Sequence, residues 1–425
     1  MKRRWLIIPL IVFLVSCGSS APKADFSAET KNLEIMSWWV SASEYPALEV
    51  LLNAFREAHP GVIVEGGTIS GGGGSNVIVA LAQRLQDGNP PDVWQTFVGS
   101  PARAYAAEGY TADLSPIAGT REFSAVIPPV LSDAMKDNDK IVAMPTGSHR
   151  GNVLWFNRKM LEESQIRVPG PEYSKDQFLQ DLAALEGKGR VPMCVGGQDR
   201  FTTSELFENI LLGEVGPDGY GRIAGDSFNW EGAPVRSALT TYDQVMSYVG
   251  TNYRSMKWSD TAEKLATGGC AFVSMNDSFY GELVAKGAKE GIDFGYVAFP
   301  GTSSAYLAIV DAFVISSRTQ NGKNAADFIT TIADGPTELA FNKVKGSVPI
   351  RRDVNVSSLP PYQQQASQAL WNQQIVLSLT HGELLDSAFQ QALYDSLATF
   401  GNDHNVDAVM ANLRKALSTQ VVGGP

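Results

Sequence analysis

The chain has 425 residues with 44% apolar and 19% charged side chains, more length than one hydrophobic core usually supports, so two globular domains are expected. A formal net charge of -11, with no basic cluster beyond the extreme N-terminus, excludes a phosphate-tracking surface and hence nucleic acid as a partner. There are only four histidines, and neither a clustered His/Cys zinc pattern nor a Gly-x-Ser-x-Gly nucleophile motif occurs.

Lys2-Arg3-Arg4 precedes an apolar run, 5–15, that is too short for a bilayer, which takes ~20 residues. This is the build of a signal peptide, and Leu14-Val15-Ser16-Cys17 resembles the lipobox of bacterial lipoproteins. The resemblance implies removal of residues 1–16, lipidation of Cys17, a tether over 17–32 and retention at the outer face of the membrane. Export permits a disulfide. Yet Cys194 and Cys270 each sit in an apolar strand-like run far apart in sequence, and small buried hydrophobes are expected rather than a bridge.

Residues 33–39 have the branched and aromatic content of a short buried strand that runs straight into a helix start. Ser41 and Glu44 stand at capping-box spacing. Trp38, Trp39 and Glu44 therefore fall at or beyond the C-terminal end of a strand, where open α/β sheets place ligands. A flat ring beside a carboxylate suits a sugar, with its C–H faces and hydroxyl rim, and the same residues equally fit a core and a helix cap. The helix from Ser41 carries Leu48, Leu51, Leu52 and Phe55 on one face and stops at His59-Pro60-Gly61; a strand over 62–65 completes a strand–helix–strand unit.

Four glycines, 71–74, precede a second amphipathic helix through Leu81 and Leu85. No Lys-Ser or Lys-Thr closes them into a P-loop, so they are either backbone that approaches a bound molecule or a plain flexible turn. A strand over 92–97 puts Gln95 and Phe97 on one face. Two apolar runs over 140–157, interrupted by Pro145, Gly147 and Gly151, read as a crossover between domains. Helices then alternate with short strands to about residue 300. Residues 306–315 form an apolar strand pair broken by Asp311, whose carboxylate must be paired or face a cleft. Residues 345–349 look like another crossing, and the chain from 361 onward reads as helical, with Val406, Val409, Met410, Leu413 and Leu417 in one stripe.

Taken together, Ser37-Trp-Trp with Glu44, Asn89-Pro-Pro-Asp-Val-Trp-Gln95, Asn152-Val-Leu-Trp-Phe-Asn157, Phe207-Glu-Asn-Ile-Leu-Leu-Gly213, Asp293-Phe-Gly-Tyr-Val-Ala-Phe-Pro-Gly301, Val310-Asp-Ala-Phe313, Lys345-Gly-Ser-Val-Pro349 and Thr380-His-Gly382 resemble the family 1 solute-binding proteins of bacterial ABC sugar importers. The glucose- and galactose-type receptors are the branch it looks most like. The likeness spans nearly everything after the tether. It implies a two-lobe α/β periplasmic-binding-protein fold of type II, with several crossing hinge strands and a ligand cleft between the lobes. One lobe would comprise 33–144 plus 306–345, the other 145–305 plus 346–425.

By the same resemblance the sugar contacts fall on Trp39 and Trp258, as stacking rings from opposite lobes, and on Glu44, Gln95, Asp277, Asp311, Lys345 and His381. Trp38, Gly72, Gly73, Phe97, His149, Arg150 and Ser278 would border the pocket. Phe97 stands where close relatives carry histidine, and Ser278 where they carry tryptophan. Both departures point away from glucose and toward a longer or differently substituted saccharide. The expected protein is a monomer that needs no cofactor or metal and works with a carbohydrate ligand, ABC permease subunits and a lipid anchor. Two alternatives remain: an exported glycoside-acting enzyme using carboxylates among Glu44, Asp277 and Asp311, or a receptor for a non-sugar solute.

Overall fold

A computed structural model of the chain describes residues 23–69, 74–225 and 227–418. The expected signal peptide with Cys17, and the glycines Gly72 and Gly73, lie outside the described residues. In chain order the strands are β1 (Asn32–Ser37), β2 (Ile63–Thr68), β3 (Val93–Phe97), β4 (Lys136–Asp137), β5 (Lys140–Ile141), β6 (Met144–Pro145) and β7 (His149–Arg150). They continue as β8 (Val153–Asn157), β9 (Met193–Cys194), β10 (Phe272–Ser274), β11 (Phe294–Ala298), β12 (Ala305–Ile309), β13 (Asp311–Ile315) and β14 (Gln374–Leu377).

The first lobe is built on a five-stranded sheet of order β2-β1-β3-β13-β6. β1 and β2 are parallel, and the helix Glu44–Ala58 crosses between them with Leu48, Leu51, Leu52 and Phe55 buried, as the spacing of its apolar residues predicts. β3 and β13 are buried on both faces and antiparallel; their register places Asp311 opposite Phe97 and Phe313 opposite Gln95. The expected reciprocal capping box does not form. The Ser41 hydroxyl accepts from the Glu44 N–H at 3.3 Å, but the Glu44 carboxylate is drawn off to the Lys345 ammonium at 3.2 Å.

The second lobe holds a four-stranded sheet, β11-β8-β10-β9, flanked by the long helix Arg200–Gly221, which packs on Ala233–Ser247 and Ser387–Asp403. Here one expectation is corrected: Cys194 and Cys270 are joined in a disulfide, with Cα atoms 5.9 Å apart. Distance in sequence is misleading because β9 and β10 pair in parallel, with Cys194 beside Val273, and carry the Cys270 segment to the same place. The C-terminal region is not wholly helical either. Between the helices Pro361–Asn372 and Ser387–Asp403, β14 adds in parallel to β12. The final helix, Val406–Ser418, buries Val409, Met410 and Leu413.

Among the described residues, one crossing runs from β6 in the first sheet through β7 to β8 in the second, and β12 leading straight into β13 makes another. The crossing expected at residues 345–349 is corrected: Ser148 bridges Val348 there, but the chain stays on the first lobe, the Ile350 N–H donating to Glu338 and the Arg352 N–H to the Val126 carbonyl, before Tyr362 joins the second-lobe rings Trp155 and Tyr296. β7, β12 and β14 form a three-stranded sheet of their own at the crossing. Close approach here demands glycine. Gly147 has φ 149° and lies where a Cβ would overlap the Asn342 side chain, and Gly346 has φ 95° with the Asp277 carbonyl 2.5 Å from where its Cβ would stand.

Candidate functional site

The crossing strands hold the lobes over a cleft whose walls come from both. Trp38 just past β1, Phe97 at the end of β3, Asp311 at the start of β13, Glu44 and Lys345 line the first-lobe side. Phe201, Trp258, Asn276, Ser278 and His381 line the second, while His149 and Ile309 reach in from the crossing strands. The space left between them is ≈ 30 Å³, far below the roughly 300–1,000 Å³ of an open small-molecule pocket, and the lobes are drawn together over it. A latch accompanies the closure: the backbone N–H and the hydroxyl of Ser43 both donate to Glu282 Oε1 across the lobe boundary, each at 2.8 Å.

A chain of charges runs along the floor of the cleft and joins the two lobes. Lys345 Nζ lies 3.2 Å from Glu44 Oε1 and 3.2 Å from His149 Nε2. The other His149 nitrogen, Nδ1, meets Asp277 Oδ1 at 2.6 Å, and Nε2 lies 3.4 Å from Asp311 Oδ2. Burial and the Lys345 ammonium oppose a proton on His149, but hydrogen bonds to Asp277 and Asp311 outweigh them and raise its pKa above the ordinary 6.5. Burial likewise opposes charge on Asp311; its bonds to His149 and Gln95 and the nearby Lys345 prevail, and its carboxyl is held below the usual range. The cleft therefore keeps an ionised acceptor, Asp311, beside a permanent donor, Lys345.

Several expected contacts stand one layer back. Gln95 donates to Asp311 Oδ1 at 2.8 Å and accepts from the Ser37 hydroxyl at 2.6 Å, so it fixes the aspartate rather than facing the cleft. Asp277 is fully buried under His149, the Arg150 N–H and the Tyr362 hydroxyl. Its neighbours Asn276 and Ser278 are the ones that look into the cleft. Arg150 points away, because successive strand residues face opposite sides.

The stacking expectation at Trp39 is corrected. Its ring is 0% exposed, wedged against Phe313 and Phe341 with ring centroids at 5.6 and 5.1 Å. Trp38 is the indole at the cleft, leaning on Phe97 at 5.2 Å. Across from it stands Trp258, the first residue of its helix, whose N–H donates to Asp199 at 2.8 Å.

Sequence reasoning missed Phe201, Met275, Asn276 and Ile309 in the walls, and Glu205 behind them. Buried Glu205 accepts from the Asn276 amide at 2.6 Å and holds His381 Nε2 at 2.8 Å, which aims both into the cleft. The His381 ring is sandwiched between Phe97 and Phe201, at 4.9 and 5.5 Å. A glutamate amid the apolar residues of its helix was the available signal for Glu205; nothing in the sequence distinguished Phe201.

Residues 39–334 match the family described as bacterial extracellular solute-binding protein. The chain belongs to that family. Among relatives of this solute-binding protein, an ABC transporter extracellular-binding protein of Pyrococcus horikoshii is 23% identical over 99% of this chain and 98% of its own length. A probable sugar-binding periplasmic protein of Brucella suis is 27% identical over 88% of this chain and 89% of its own. In structure, the fold is shared with the bacterial solute receptor AcbH, described as preferring β-D-galactopyranose exclusively: TM-score 0.78 at 14% identity, covering 91% of this chain and 97% of that one.

Proposed function

We propose that this solute-binding protein is a sugar receptor for an ABC importer, anchored outside the cytoplasm through lipidated Cys17. One observation carries the reading: aromatic rings from both lobes, Trp38 and Phe97 facing Trp258 and Phe201, bracket a set of fixed donors and acceptors at Asp311, Lys345, Asn276 and His381. Flat apolar walls pack the C–H faces of a pyranose while its hydroxyls meet the polar set. One relative named a probable sugar-binding periplasmic protein, and another named an ABC transporter extracellular-binding protein, support the same assignment.

The two lobes swing apart on the crossing strands to admit the sugar. The ligand then shifts the population to the closed form, which the permease engages. Phe97, packed on Trp38 and His381, is already a platform, and Ser278 leaves the opposite wall open; a saccharide longer or differently substituted than glucose fits both.

The glycoside-acting alternative needs two carboxylates facing the ligand, one of them protonated. Glu44 is engaged by Lys345, Asp277 faces away and Asp311 is held ionised, so none of the three carboxylates weighed for that chemistry stands as a protonated acid facing the cleft. The test is a screen of mono- and oligosaccharides by intrinsic fluorescence and melting temperature. At least one sugar should raise the melting point and perturb the emission, without new reducing ends accumulating. A flat response across a broad panel removes the sugar reading.

A further inference from the structure

His149 and Arg150 are consecutive on β7, and where the histidine enters the cleft the arginine enters a separate cavity of ≈ 530 Å³ behind it. That size suits a small ligand. Phe156 of β8, Tyr296 of β11, and Pro169 and Pro171 of the preceding loop give it flat apolar walls, and Gln373 closes one side.

Arg150 is 7% exposed, yet its hydrogen bonds go only to neutral groups: Nε to Asn152 Oδ1 at 3.3 Å and Nη2 to Gln373 Oε1 at 3.1 Å. Two of five N–H donors are thus used, and among the described residues no carboxylate forms an ion pair with the guanidinium. Asp277, which it senses electrostatically, gives its oxygens to His149, the Arg150 backbone N–H and Tyr362. A buried cation that no carboxylate pairs directly is costly to keep. Its remaining donors, on Nη1 and Nη2, form the fork that a carboxylate fits end-on.

We propose that this cavity is a second small-molecule site, taking a monocarboxylate with a flat apolar body, its carboxylate on Arg150 and its body against Tyr296 and the two prolines. A doubly charged phosphate is disfavoured. Glu290 borders the same cavity, and the second arginine there, Arg158, lies 3.7 Å from its own partner, Glu162.

The test is isothermal titration of the whole protein with sodium benzoate at constant ionic strength, with benzamide and inorganic phosphate as comparisons. Saturable one-to-one binding of benzoate alone is expected, weakened at least tenfold in Arg150→Met. Ser303→Phe, at the exposed rim, should weaken it similarly by filling the cavity, and it carries the test should Arg150→Met fail to fold. No benzoate binding by the folded protein, binding unchanged in the folded variants, or a preference for phosphate or benzamide overturns the proposal. No sugar is present in the assay, so its outcome is independent of what the cleft binds.

Discussion

Ser43 and Glu282 tie the lobes together: two donors of one serine converge on a single buried oxygen, each at 2.8 Å, beside the backbone contact of Gly281 with Lys345 and Gly346. Bonds that span the lobe boundary in this way are expected to break as the lobes part. They hold part of the closure free energy before any ligand contributes, and charge-assisted bonds are each worth about 1.5–3 kcal/mol.

Replacing Glu282 by Gln keeps the shape but removes the charge. The closed population should fall, seen as a larger radius of gyration in small-angle scattering without ligand and about tenfold weaker apparent sugar affinity. Unchanged scattering and affinity would show that the latch is incidental.

The three tryptophans should separate by readout. Trp258→Ala and Trp38→Ala remove cleft walls and should weaken sugar binding at least tenfold, with a loss of stability as well because both indoles are largely buried. Trp39→Ala should cost about 3–5 kcal/mol through a core cavity, read as a steep fall in denaturation midpoint, while the folded variant keeps its sugar affinity.

That contrast shows where the sequence was legible and where it was not. The apolar run before Ser41 identified β1 and its helix, because alternation and helical spacing are local properties. Which of two adjacent indoles meets the ligand depends on how the chain leaves β1 after Ser37, and that is set by packing against Phe313 and Phe341, hundreds of residues away. Likewise Asp277 and Ser278 marked the right turn, with Ser278 at the cleft as expected, but Asp277 is claimed by His149 and Tyr362 from other segments and Asn276, which was not expected, takes the place beside it. The pairing of Cys194 with Cys270 and the strand β14, four residues between two helices, are products of long-range strand pairing with no local signature.

Reducing the disulfide, or substituting both cysteines by Ser, opens a loop spanning 76 residues in sequence. The chain-entropy view puts the loss at about 2–5 kcal/mol, so thermal scans with and without reductant should differ by several degrees, and the double Ser variant should show no such difference.

Glu338 supplies a pH dependence. Burial pushes its carboxyl up to about 8, against the backbone N–H of Ile350, which favours the charged form. The folded state therefore holds a proton that the unfolded chain loses near 4.5, so this group costs stability progressively as pH rises from about 4.5 to 8. Glu338→Gln should stabilise the fold more at pH 8 than at pH 5, by on the order of a few kcal/mol at the upper end, read as a larger rise in melting temperature at pH 8. An equal effect at both pH values would contradict the assignment. His149 adds a contribution of the same sign: its pKa is raised, so its stabilisation is full below about 6.5 and fades as pH climbs through the folded value. Asp311 acts oppositely, its stabilisation persisting at neutral pH and fading only as pH falls through its lowered pKa.

The closed cleft is expected to open and take a carbohydrate between Trp38 and Trp258. Calorimetric titration of the purified protein with the best saccharide from the screen, run in parallel on Trp258→Ala, addresses it most directly. One site per chain, filled by the wild type and at least tenfold weaker in the variant, is the predicted result; a site that binds as tightly without the Trp258 indole would contradict it.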